Sequence, residues 1–202
     1  MVKNAVVPKK APTFRSNFVF LGKFLRHGTK IASVWPSSKT LARATIREVD
    51  FEKANVIVEL GAGTGPITHA VIARLKPHTK FIAVERDNDL YRILRERFSE
   101  LPNVEIIHAD VRDLDTLLKA RGIDRVDYFV SGLPTPSLPE GVRLRMLACV
   151  RKYMPEHGVY SNITEIPYLY WKYYKNYFND VDFQFVAVNM PPGGVYHCRA
   201  MR

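Results

Sequence analysis

The chain has 202 residues, 47% apolar and 25% charged, which suits one domain around one sizeable core. No apolar run approaches the roughly 20 residues that span a bilayer, and the N-terminus has no signal-peptide pattern. Two cysteines without paired spacing and six scattered histidines exclude a disulfide framework and a metal-ligand motif. Cys149 and Cys198 are therefore expected to be buried thiols in a reducing compartment.

Charge divides the chain. Ten lysines and arginines precede the first acidic residue, Glu48, and they hold the whole formal excess of +10. Residues 48–202 are balanced. We take residues 1–47 as a basic N-terminal portion of the domain and 48–202 as its core. A segment this basic seeks a polyanion, either nucleic acid or an anionic membrane surface.

Residues 1–13, with Pro8, Pro12 and three lysines, are expected to form a mobile arm. Phe14, Phe18, Leu21 and Leu25 then recur at helical spacing, with Arg15, Lys23 and Arg26 opposite them. An aromatic apolar face backed by basic residues is the composition of an interfacial membrane helix, and equally of a helix docked on a core. Pro36, Ser37 and Ser38 form a turn after Trp35, and a helix is expected from about 40 to 49.

Residues 56–60 form a short β-branched run, expected to be a strand buried on both faces. Gly61, Ala62, Gly63, Thr64 and Gly65 follow, then Pro66 and a helical pattern over 67–75. Strand, glycine turn, helix is the plan of a nucleotide site at the carboxyl edge of a parallel sheet. The spacing is G-x-G-x-G, not the G-x-G-x-x-G that receives a pyrophosphate. Glu59, two residues before the first glycine, would repel a phosphate but accept hydrogen bonds from a cationic amino-acid ligand.

A second strand over 81–85 ends in Glu85, placed to accept ribose hydroxyls. Arg86 and Asp87 open a charged helix running to about residue 100. A third strand over 104–110 ends in Asp110, where a carboxylate can accept an adenine amino group and Val111 can offer its N–H. Asp113 is a possible cap for a helix over 114–121. A fourth strand over 126–131 leads into Gly132-Leu-Pro-Thr-Pro. A helix over 139–153, a fifth strand over 158–162, an aromatic-rich helix over 168–178 and strands over 182–189 and 195–201 complete the chain. Tyr168, Tyr170, Trp171, Tyr173, Tyr174 and Tyr177 either pack that helix or cage a methylated ammonium.

Three acidic strand ends, Glu59, Glu85 and Asp110, resemble motifs I, II and III of the class I S-adenosylmethionine (SAM) methyltransferases. The resemblance implies an α/β fold: a seven-stranded, mostly parallel Rossmann-like sheet with helices on both faces, preceded by an amphipathic helix. It implies SAM held by Glu59, Gly61, Ala62, Gly63, Thr64, Gly65, Glu85, Arg86, Asp110, Val111 and Ser131. The middle of the chain is similar to the ribosomal RNA adenine dimethyltransferases. Those enzymes carry Asn-Leu-Pro-Tyr after strand four to hold and stack a flipped adenine. Ser131-Gly-Leu-Pro-Thr135 lacks both the amide and the aromatic, which disfavours adenine as acceptor.

Residues 18–46, Val130-Ser-Gly-Leu-Pro134 and Val188-Asn-Met-Pro-Pro192 resemble bacterial phospholipid N-methyltransferases of the membrane-associating type. That resemblance implies methylation of phosphatidylethanolamine toward phosphatidylcholine with docking on a membrane; the enzyme is expected to be a monomer of the cytoplasm, bound peripherally to the inner membrane face. Residues 14–30 would meet the anionic lipid surface, with nucleic acid the lesser partner. Ser131 and Tyr196 are the candidate catalytic residues, with His197 a weaker one.

Overall fold

The computed structural model describes residues 36–165, 168–187 and 192–202. The expected helix over 14–25, the docking segment 14–30, Trp35 and the run from Val188 to Pro191 lie outside them.

Period-two alternation builds the sheet. In β1 (Val56–Leu60) and β2 (Lys80–Glu85), Val58, Leu60, Ile82 and Val84 face one side and Ile57, Phe81 and Ala83 the other. Both sides are covered, so the strands are apolar almost throughout. β3 (Val104–His108), β4 (Tyr128–Ser131) and β5 (Val159–Thr164) run parallel to them. β6 (Phe178–Val186) and β7 (Gly193–Met201) close the sheet, and β7 is antiparallel to both β5 and β6. The order is β3-β2-β1-β4-β5-β7-β6.

One layer comprises α1 (Pro36–Thr45), α2 (Pro66–Ile72) and α3 (Asn88–Phe98), which bury Ala42, Val71 and Leu94 on the sheet. The opposite layer comprises α4 (Leu114–Lys119), α5 (Glu140–Tyr153) and α6 (Trp171–Lys175). Leu118, Met146, Val150 and Tyr174 bury there against Phe129, Tyr160 and Tyr196. The expected seven strands, mostly parallel and helix-covered on both faces, are thus present.

Several boundaries differ from expectation; the helix over 67–75 ends at Ile72 and the strand over 182–189 spans Phe178–Val186. α1 begins at Pro36 and ends at Thr45, earlier at both ends than 40–49, so Ser37 and Ser38 fall inside its first turn. Asp87 caps α3, its Oδ1 accepting from Asp89 N–H and Leu90 N–H at 3.0 Å each. Asp113 makes no side-chain cap at α4; Asp110 instead caps the short 3₁₀ turn Val111–Asp113. The expected helix over 168–178 shrinks to Trp171–Lys175. Phe178 pairs with Met201 in β6–β7 and stacks on Tyr160 at 5.6 Å, so burial draws it into the sheet.

Cys149 and Cys198 are free and buried, as expected, and burial raises both thiol pKa values, Cys149 to about 12.

Candidate active site

The strand order reverses direction between β1 and β4. The chain leaves β1 toward β2 and leaves β4 toward β5, so their two loops part and open a crevice at the carboxyl edge, where ligands of such sheets bind.

The glycine loop forms one wall. Gly61, Gly63 and Gly65 have φ of 72°, 58° and 87°, left-handed values that disfavour a side chain. A Cβ on Gly61 would lie 2.3 Å from Leu133 Cδ2, whereas one on Gly63 would meet nothing within 4 Å. Gly61 is therefore the contact between the two loops, and Gly63 is the open cradle a ligand can approach. Ala62 is buried and Thr64 is half-buried in the same turn.

Carboxylates stand along the crevice. Glu85 is nearly buried and accepts from Gly63 N–H at 2.7 Å and from Asp87 N–H at 2.8 Å. Two backbone donors fix its orientation, and each oxygen keeps a further lone pair for a hydroxyl. Asp110, 12% exposed, accepts from Arg112 N–H at 2.9 Å. Burial alone would raise its pKa, but the Arg112 amide and guanidinium and the Arg86 charge hold it below the usual carboxylate range. Arg86 is 74% exposed and lies 3.7 Å from Asp110, joining the ends of β2 and β3 from outside. Val111 opens the 3₁₀ turn, where the first N–H groups have no partner within the helix.

Glu59 lies beneath the glycine loop, fully buried. Its Oε2 accepts from Thr68 Oγ1 at 2.7 Å, and Oε1 has no partner among the described residues. Burial, helped by the Glu85 charge, pushes its pKa up to about 8. An orphaned buried oxygen next to an open glycine cradle fits a ligand that carries a cation.

The second wall is Gly132-Leu-Pro-Thr135. A Cβ on Gly132 would sit 2.8 Å from Gly61 O, so the loops touch backbone to backbone. Ser131, fully buried at the end of β4, accepts from Leu133 N–H at 3.2 Å. Its hydroxyl stabilises the loop from below. Tyr196 is fully buried, 4.7 Å from the rings of Tyr174 and Phe183, and its OH accepts from Tyr170 N–H at 3.2 Å. These contacts give it a packing role. His197 projects from the other side of β7, buried, its Nδ1 2.8 Å from Ser161 Oγ. The crevice thus gathers Glu59, the glycine loop, Glu85, Asp110, Val111 and Ser131, while Tyr196 and His197 stand in the interior.

The sequence reading missed Thr135, Tyr160 and Asn162, which form a buried polar cluster under the second loop. An asparagine within a strand was the available signal, because asparagine is depleted there.

The ribosomal RNA adenine dimethylase family matches residues 30–150, more than half of the chain. The chain belongs to that family of class I SAM-dependent methyltransferases. An ornithine lipid N-methyltransferase of Singulisphaera acidiphila is 45% identical over 92% of this chain and 96% of its own length. A ribosomal RNA small subunit methyltransferase A of Thermotoga neapolitana is 34% identical over 57% of this chain, but the match covers only 41% of that relative. Among solved structures, a Burkholderia thailandensis 1,6-didemethyltoxoflavin N1-methyltransferase with S-adenosylhomocysteine superposes with a TM-score of 0.65. It covers 98% of this chain and 94% of its own, at 16% identity, and so speaks for the fold.

The chain is a methyltransferase and its cofactor is SAM, which supplies a methyl group on a sulfonium. The described residues fit that cofactor: the Gly63 cradle, Glu85 for hydroxyls, Asp110 and Val111 for a base edge, and Glu59 toward a cation.

Proposed function

We propose that this enzyme methylates the primary amine of a membrane lipid head group. The observation that carries the reading is the 45% identity to a lipid N-methyltransferase along nearly the full length of both chains. The ribosomal RNA relatives match over only 57% and 54% of this chain and about two fifths of their own length. The loop after β4 supports the same reading, since Gly132 and Thr135 stand where adenine enzymes place an amide and an aromatic.

Ornithine and ethanolamine head groups both present a primary alkylamine. Such an amine has a pKa of about 10 and attacks only after losing its proton. Desolvation in the crevice favours the neutral form. The enzyme's part is then to hold nitrogen and methyl in line. Burial pushes the Tyr160 phenol well above its ordinary pKa, so it stays protonated and is no base.

Docking on an anionic bilayer accounts for the basic residues 1–47, at roughly 1 kcal/mol per lysine or arginine near the surface. The exposed Tyr168 and Leu169, 63% and 62% accessible, adjoin exposed Lys172 and Lys175 and give the core an apolar, cationic rim of its own. No helix among the described residues is long and apolar enough to cross a membrane.

The test incubates the full chain with methyl-labelled SAM and, separately, vesicles of ornithine lipid, vesicles of phosphatidylethanolamine, and ribosomal RNA. Label in either lipid fraction supports the reading, and the pair ranks the head groups. Label in RNA alone refutes it.

A further inference from the structure

Asn162 occupies an interior strand of the sheet, fully buried, with Tyr196 opposite it on β7. Burial there would be satisfied by leucine, of similar volume and without polar atoms. The amide is instead fully employed. Its Nδ2 donates to Leu133 O at 3.0 Å and to Ile163 O at 2.6 Å. Its Oδ1 accepts from Thr135 Oγ1 at 2.5 Å and from Tyr160 OH at 2.7 Å. Two donors and two acceptor sites exhaust the capacity of an asparagine side chain. A buried polar group met on every side specifies one arrangement of its neighbours.

Its partners are concentrated in the loop facing the crevice. The Leu133 carbonyl receives the Asn162 amide and the Thr135 N–H at 2.8 Å. The Leu133 side chain occupies the space where Gly61 would carry a Cβ, and Gly132 lies against Gly61 O. A contact path therefore runs from Asn162 through Leu133 to the glycine loop. Moving the Leu133 peptide changes the gap between the two walls.

We propose that Asn162 is a positioning residue that sets the height of the Gly132–Thr135 loop above the glycine loop, and hence the separation of methyl donor and amine. The proposal rests on the reading that the amine meets the cofactor between these loops. In-line transfer tolerates little error, and a displacement of about 1 Å can cost on the order of 10²-fold in rate.

The test is Asn162→Asp, nearly isosteric, which keeps an oxygen for Thr135 and Tyr160 but turns an acceptor toward the Leu133 carbonyl. Ser161→Ala is the control: it deletes a buried hydrogen bond of the same strand on the opposite face. The expected result for Asn162→Asp is a kcat at least 30-fold lower on amine-lipid vesicles, with SAM Kd by calorimetry within threefold of the parent. Exchange of the Thr135 amide should be at least tenfold faster, with β1 amides unchanged. Ser161→Ala should leave kcat within threefold. Unchanged Thr135 exchange, parallel loss of SAM affinity, or an equal kcat loss in Ser161→Ala would each overturn the proposal. If Asn162→Asp does not fold, Asn162→Ser, which removes both amide donors without adding a charge, is judged by the same outcomes. A parent inactive on lipid amines refutes the lipid reading, while amide exchange, which needs no acceptor, still decides the role of Asn162.

Discussion

Glu59 and His197 are both buried and both carry a ring nitrogen or oxygen without a partner among the described residues. Their consequences have opposite sign. The folded protein holds a proton on Glu59 up to about pH 8, whereas the unfolded chain releases it near 4.5. The stability Glu59 contributes is thus full below about 4.5 and is lost as pH rises through 8. His197 is held neutral down to about pH 4, chiefly by burial, against 6.5 when unfolded. Stability from this group is full above 6.5 and is lost as pH falls through 4. His197→Gln should flatten the acid limb of a urea-midpoint titration between pH 4 and 6.5. If the cation of the cofactor meets Glu59, binding must discharge that proton. Calorimetry at pH 7 in phosphate and in Tris should then show close to one proton released, and Glu59→Gln should abolish the buffer dependence. At the glycines, Gly63→Ala should weaken SAM binding with a left-handed strain of about 1–2 kcal/mol. Gly61→Ala should also displace Leu133 and therefore lower kcat further.

Among the secondary elements, aspartates do the fastening. Asp127, at the entry to β4, accepts from Asn55 N–H at 2.8 Å and Val56 N–H at 3.1 Å, so one buried carboxylate ties the starts of β1 and β4 together. Arg125 pairs with it at 3.0 Å. Asp127→Ala should lower stability by about 2–4 kcal/mol, read from the denaturant midpoint, since hydrogen bonds to a charged group are worth roughly 1.5–3 kcal/mol each and partner groups are left unmet. SAM affinity should persist in the folded fraction, because this fastening lies at the amino edge, away from the crevice. Asp110 shows why local pattern misleads: Asp113 stands directly before α4, yet its side chain makes no cap, and its own N–H is held by Asp110 O at 3.0 Å in the 3₁₀ turn.

For the whole molecule, the charge separation is the governing feature. The core is balanced and the leading segment carries the formal excess of +10; on the proposed reading that segment locates the enzyme on the bilayer. Deleting residues 1–26 should weaken co-sedimentation with anionic vesicles at least tenfold while leaving SAM Kd within threefold. Unchanged sedimentation would reassign docking to the rim around Tyr168 and Leu169. The start of the core is clamped to its end: Arg47 pairs with Asp182 at 3.0 Å, and Glu48 pairs with Arg199. α1 buries Ala42 on the sheet and Ile46 is buried in the turn that follows it, so the core begins before residue 48 in packing terms.

The strand count, the strand-end acids and the glycine turn were legible in the sequence because each is a local pattern with a short period or a backbone requirement. β1 with Gly61–Gly65, Glu85 and Asp110 needed no knowledge of distant partners. The tertiary structure alone decided which atoms Ser131, Tyr196 and Asn162 meet. Their roles depend on which atoms lie across the sheet, and residues 29 apart, such as Leu133 and Asn162, meet only through strand order. The same holds for Phe178, whose helical neighbourhood yielded to pairing with β7 because burial against Tyr160 outweighs a weak local preference.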